Sequence, residues 1–254
     1  MSSATTELTR LHARELLRDR RYFWFALIFP FFMLSIFLTL NAVMADQPGA
    51  PDFSTTVIPM AVFLAVTGAA LTVTAGPVAA MRARGTLRLL GTTPIGRSRV
   101  VLTHLATRVA MVVVQLVVLL AIGTLLHTIT PGDLPRVLAV SMLGLTMFLG
   151  FGYLIGGRLS SPDAATNVGT LVQLSTLFLS GLAVPLWLLP DGVARVLGWL
   201  PTTFFADLLL SSMRGQSPAH PTLVSVAVVA ATAGLALFLA VRTFRWDQGE
   251  EGVQ

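Results

Sequence analysis

Six apolar runs dominate this chain: residues 23–43, 56–80, 100–126, 136–157, 164–184 and 223–241. Each is near the roughly 20 residues that an α-helix needs to cross a hydrocarbon layer about 30 Å thick. In that layer every backbone N–H and C=O must find a partner within the protein, so runs of this length read as helices. Composition agrees. Of 254 residues, 54% are hydrophobic and 11% charged, with a mean hydropathy of +0.79. A water-covered domain carries about 25% charged residues, so this surface belongs against lipid. The expectation is an all-α polytopic membrane protein with six transmembrane helices, built as one domain over 1–254.

Charge placement orients those helices. All 17 basic residues are arginine. Arg10, Arg14, Arg18, Arg20 and Arg21 precede the first run, and Arg82, Arg84, Arg88, Arg97, Arg99 and Arg108 surround the gap between the second and third. With Arg158, Arg242 and Arg245, fourteen lie on one side, leaving Arg136, Arg195 and Arg214 on the other. The positive-inside bias then places both termini in the cytoplasm of a plasma-membrane protein. Arginines at the ends of apolar runs mark topology, so the net charge of +5 does not point to nucleic acid.

Residues 1–22 set Leu8, Leu11, Leu16 and Leu17 among arginines. They read as a helix along the inner interface, held by anionic lipid headgroups, with a disordered tail as the competing reading. The run 23–43 exceeds the roughly 7–15 residues of a signal-peptide core and reads as a retained helix, although Val43-Met44-Ala45 resembles a cleavage site. Residues 242–254 form a short polar cytoplasmic tail.

What is missing narrows the chemistry. Without cysteine, disulfides, thiolate catalysis and thiolate metal sites are excluded. Without lysine there is no Walker A lysine and no Schiff base, so any ATP hydrolysis must take place on another polypeptide. The four histidines, at 12, 104, 127 and 220, have no ligand spacing, so no metal site is expected. No carboxylate stands in the middle of an apolar run, which argues against proton-coupled transport. No catalytic residue is assigned.

Two segments depart from plain hairpins. Residues 81–99 read MRARGTLRLLGTTPIGRSR, a basic, Gly/Pro-punctuated loop where a soluble partner can push on the membrane part. Residues 185–222 contain proline-broken apolar runs (185–190, 193–200 and 204–213) too short to span and too apolar for a free loop. They read as two short helices dipping into the outer leaflet, with Trp187 and Trp199 at headgroup level. Outside these segments, Gly152 and Gly156 form a GxxxG pair suited to helix packing, and Gly68, Ala69, Thr72 and Gly76 suit close approach.

Together these stretches resemble the ABC-2 type exporter permeases over nearly the whole chain. The first matches at Arg82, Arg84, Gly85-Thr86-Leu87, Leu89-Leu90 and Thr93-Pro94. The second, from Ser180-Gly181 through Pro185-Leu186, Leu189-Pro190 and Pro201 to Met213-Arg214, is similar to the family's external re-entrant hairpin. The resemblance implies a transmembrane subunit that pairs with a second permease and with separate ATP-binding cassette subunits, which carry ATP and Mg. It also implies that 81–99 holds the coupling helix docking on the ATPase. The ATPase-coupling candidates are therefore Arg82, Arg84, Gly85, Thr86, Leu87, Arg88 and Pro94. Met81 and Ala83 stand where the family commonly has acids, so either the ATPase groove is more acidic or a different permease supplies them, which leaves homodimer and heterodimer both open.

Gln115, Asn167, Gln173, Ser175 and Thr176 are candidates for a substrate path, with interhelical hydrogen bonding the structural alternative. His104 and Arg108 read as snorkelling to the inner interface, and Asp207 as solvated or paired with Arg214 or Arg195. The expected function is ATP-driven export of an amphiphilic drug, antibiotic or lipid, as in multidrug efflux. The alternatives are a permease for lipid-linked polysaccharide and, in another class, a membrane-embedded lipid-modifying enzyme.

Overall fold

The second apolar run forms a pillar enclosed by the rest of the chain. It comprises α2 (Val57–Thr67), a π-helical turn (Gly68–Thr72) and α3 (Val73–Ala83), and its most apolar stretch is wholly buried. Residues 14, 20–44, 56–85, 97–213 and 217–243 are described in this computed structural model, and among them every element is helical. The other long helices are α1 (Arg20–Met44), α4 (Arg97–Leu125), α5 (Leu134–Arg158), α6 (Pro162–Leu179) and α9 (Thr222–Thr243). The short helices α7 (Asp191–Gly198) and α8 (Pro201–Ser211) lie between α6 and α9. Thr86, Leu87, Arg88 and Pro94, together with nearly all of 1–22 and the tail beyond 243, lie outside the described residues.

Small residues let the helices close on the pillar. A Cβ at Gly152 of α5 would collide with the Ala70 carbonyl oxygen, and one at Gly156 would stand 2.5 Å from Ala75 O. The GxxxG face is thus used inside the chain, against the pillar. On α6, a Cβ at Gly169 would lie 3.0 Å from Leu71 O. Contacts at Gly76–Thr166, Leu71–Gly169 and Gly68–Gln173 run α6 antiparallel to the pillar. The contacts Ala70–Gly152 and Ala75–Gly156 run α5 parallel to it. Without a hydrophobic drive between helices in lipid, such backbone-close packing supplies the attraction. On the far side of α5, Gly150 meets Ala236 of α9, whose buried face is Ser225, Val229, Ala233, Ala236 and Ala240.

Three expectations change. Five described segments, rather than six, are long and apolar enough to cross a membrane, or six if the bent α7–α8 pair is counted as one. The run 164–184 becomes α6, which ends at Leu179 because Gly181 turns the chain with φ +86°. Asp163, Asn167 and Gln173 also dilute its apolar character. The run 56–80 is not one α-helix but is interrupted by the π turn.

The α7–α8 pair has the expected two short helices, each started by proline: Pro190 immediately before α7 and Pro201 as its partner's first residue. They meet at 84°. The second is no surface element. Thr202 through Leu209 are buried, and Phe205 fills the gap left by Gly144, its ring 5.4 Å from that of Phe63 and 5.8 Å from that of Phe148. Trp187 and Trp199 stay exposed beside it. Asp207 is buried, not solvated. Its oxygens accept the Ala219 N–H at 2.7 Å and the His220 N–H at 3.1 Å, pinning the segment that enters α9. A buried carboxylate requires such donors. Arg195 is exposed on α7, and Arg214 lies outside the described residues.

Candidate functional site at the Arg82 end of the bundle

The root of the basic loop is fastened before the loop begins. Arg82, in the last turn of α3, is 3% exposed, and its Nη1 donates to Gly156 O at 3.2 Å and Leu159 O at 3.1 Å. Both carbonyls belong to the end of α5, where helical carbonyls lack intrahelical donors and the helix dipole favours a cation. One guanidinium therefore caps α5 and ties it to the pillar. Arg84 is exposed. Gly85 follows with φ +65°, its N–H on Arg82 O at 3.0 Å, which is how glycine closes a helix. Thus Arg82 is spent on the fold, while Arg84 faces outward from the end of the pillar.

Higher in the bundle, α4 repairs breaks made by proline. Pro30 in α1 has no N–H for the carbonyl of Ala26, and Pro77 in α3 has none for that of Val73. Gln115 Nε2 donates to Ala26 O at 3.0 Å and Leu27 O at 3.2 Å. Arg108 Nη2 donates to Val73 O at 3.3 Å, and its Nη1 to Thr107 Oγ1 at 2.9 Å. Arg108 is 1% exposed, as is His104, whose Nδ1 lies 2.9 Å from the Tyr153 hydroxyl. The snorkelling reading is therefore corrected. Arg108 is enclosed between α3 and α4 with its donors on Val73 O and Thr107 Oγ1, so it does not extend to the lipid interface. The sequence signal that was available is the pair of prolines, each needing a donor seated opposite.

This arrangement gives a test. Gln115→Leu should cost about 1–2 kcal/mol of folded stability by stranding Ala26 O. In a Pro30→Ala background the restored N–H should absorb most of that cost, so the two substitutions should be non-additive. Thermal unfolding of the detergent-solubilised chain, followed by fluorescence-detected size exclusion, reads both.

Gln173 is also buried inside the bundle. Its Nε2 donates to Leu64 O at 3.3 Å and its Oε1 accepts from Thr72 Oγ1 at 2.9 Å. Of the remaining substrate-path candidates, Asn167 is exposed on α6, while Ser175 and Thr176 are half-buried, the latter hydroxyl returning to Gln173 O at 2.9 Å. Gln115 serves α1, and Gln173 serves the pillar. Among the described residues no three His, Asp or Glu side chains gather at metal-binding distance.

A family profile described as "ABC-2 family transporter protein" matches residues 41–242. That stretch holds the pillar with its Pro77 break and Arg108, the Arg82 clamp and the α7–α8 pair. The chain belongs to the ABC-2 transporter family. No individual curated protein matches it. Membership makes this ABC-2 protein the membrane component of a transporter and implies an ATP-binding partner subunit. The apolar helices fit a multi-pass membrane protein.

Proposed function

We propose that this chain is the permease subunit of an ATP-driven exporter, working in the plasma membrane with both termini cytoplasmic. ATP and Mg would be held by a separate ATP-binding cassette subunit, and a second permease, identical or different, would complete the membrane part. The cargo would be an amphiphilic or hydrophobic molecule such as a drug, antibiotic or lipid, suited to helices whose outward faces are apolar. Loop 81–99 would dock the ATPase through Arg84, Arg88 and the Gly85-Thr86-Leu87 to Pro94 stretch, with Arg82 anchoring its root. Asn167, Ser175 and Thr176 would be the polar groups nearest the cargo, with Gln115 and Gln173 behind them. The α7–α8 pair would be the external re-entrant hairpin.

One observation carries this reading. The loop grows from the end of the buried pillar, and Arg82 clamps that end to α5. A push on the loop therefore enters the helix that packs against α1, α4, α5, α6 and α8. Affinity purification of the chain from membranes in mild detergent is expected to co-recover an ATP-binding subunit, identified by mass spectrometry. Recovery of none, with or without ATP and vanadate, would sink the proposal.

A further inference from the structure

The π turn sits in the pillar where nothing in the local sequence demands it. Across Gly68–Thr72 the hydrogen-bond ring widens, with Val73 N–H reaching Gly68 O, five residues back. A π turn accommodates one residue more than an α-helix would, and such turns are rare and concentrated at functional positions. Here side-chain hydrogen bonds brace the turn, one set reaching across from α6 and one from the pillar itself. Gln173 of α6 spans the turn, donating to Leu64 O above it and accepting from Thr72 Oγ1 at its lower end. Thr170 Oγ1 lies 3.3 Å from the same Thr72 hydroxyl, and Thr74 Oγ1 donates to Ala69 O at 2.8 Å. The bulging carbonyls of Ala70 and Leu71 are accommodated by Gly152 of α5 and Gly169 of α6.

We infer that Gln173 is a positioning residue that holds the pillar in this register, and that releasing it lets the π turn revert to α-helix. The inference deepens the proposed function, since it rests on that reading for what drives the change. Reversion would turn α3 by about 100° and move it about 1.5 Å relative to α2. Each residue below the turn would then take the place of its successor. Arg82 would leave its buried seat for the exposed one now held by Ala83 and release Gly156 O and Leu159 O. Clasp and clamp thus favour the same register, and the loop beyond Gly85 follows it. Force arriving at that loop has a defined mechanical consequence in the centre of the bundle.

The chain contains no cysteine, so an introduced pair reports register without background. Ala75 of α3 and Ala165 of α6 pack in one buried cluster. In Ala75→Cys/Ala165→Cys, copper-phenanthroline should close the disulfide in the native register. With the permease alone in nanodiscs, Gln173→Leu should lower the cross-linking rate about fivefold, the worth of one buried hydrogen bond. Thr72→Val should act in the same direction and carries the test should Gln173→Leu not accumulate. Deleting Ala70 removes the extra residue, so it should restore the rate in the Gln173→Leu background. It should also insert far better than deletion of Val62, which displaces everything below it. The inference is overturned if neither substitution lowers the rate, if the deletion does not restore it (loosened packing alone), or if the two deletions are equally damaging. Where the ATP-binding subunit is bound, ATP with vanadate should lower the native rate but not that of the Ala70 deletion. An unchanged native rate there removes the π turn from coupling while the permease reading stands. Absence of any such subunit defeats the permease reading, and the permease-alone arms still decide the clasp.

Discussion

Gly152→Val should leave almost no folded protein in the membrane. The new side chain would enter the space of the Ala70 carbonyl, within the π turn. Overpacking costs about 1–3 kcal/mol where a flexible neighbour gives way. Here the neighbour is backbone of the enclosed pillar, held from behind by α6, so the cost should reach about 3 kcal/mol or more. Gly234→Val is the matched control, because nothing lies within 4 Å of a Cβ at Gly234. Membrane accumulation and the monodisperse fraction after extraction should collapse for the first and remain near native for the second. Equal behaviour would mean that α5 does not press on the pillar at Gly152.

Arg82→Glu should be far more damaging than the same change at Arg84. It replaces a buried donor with an anion facing the Gly156 and Leu159 carbonyls; losing a charged hydrogen bond costs about 1.5–3 kcal/mol, and burying an unpaired carboxylate adds to that. Arg82→Gln, which keeps an N–H donor without the charge, should recover part of that loss. Arg84→Glu, two residues on, is exposed and should change stability by no more than about 0.5 kcal/mol. Thermal unfolding of the three purified variants reads the ranking. A destabilised Arg84→Glu beside a stable Arg82→Glu would reverse the assignment of clamp and outward-facing residue.

The long helices were legible because apolar length and arginine placement are properties of each segment by itself. So was close packing at Gly152 and Gly156, where small residues at helical spacing have one obvious use. What escaped was decided by partners distant in sequence. Residues 68–72 carry no signal that separates a π turn from an α-helix rich in glycine and alanine; the groups that lie against the turn, Gln173, Gly152 and Gly169, are distant in sequence. Nearness to a helix end suggests that Arg108 and His104 reach the interface, but Val73 of α3 and Tyr153 of α5 enclose them. Gln115 and Gln173 were legible as polar groups within spans, while the carbonyls they serve belong to other helices. Asp207 was read from neighbouring arginines, yet its donors are the N–H groups of Ala219 and His220. Intramembrane polarity thus marked the right positions without naming their partners.

In the proposed function a partner's energy enters through loop 81–99. Its most direct test is charge reversal at the two arginines assigned to docking, Arg84→Glu/Arg88→Glu, in cells exporting an amphiphilic Hoechst-type dye. The double variant should insert natively and keep its thermal stability, lose the co-purified ATP-binding subunit, and leave dye accumulation equal to that of cells lacking the permease. A double variant that keeps its ATP-binding subunit and exports dye at the native rate would contradict it.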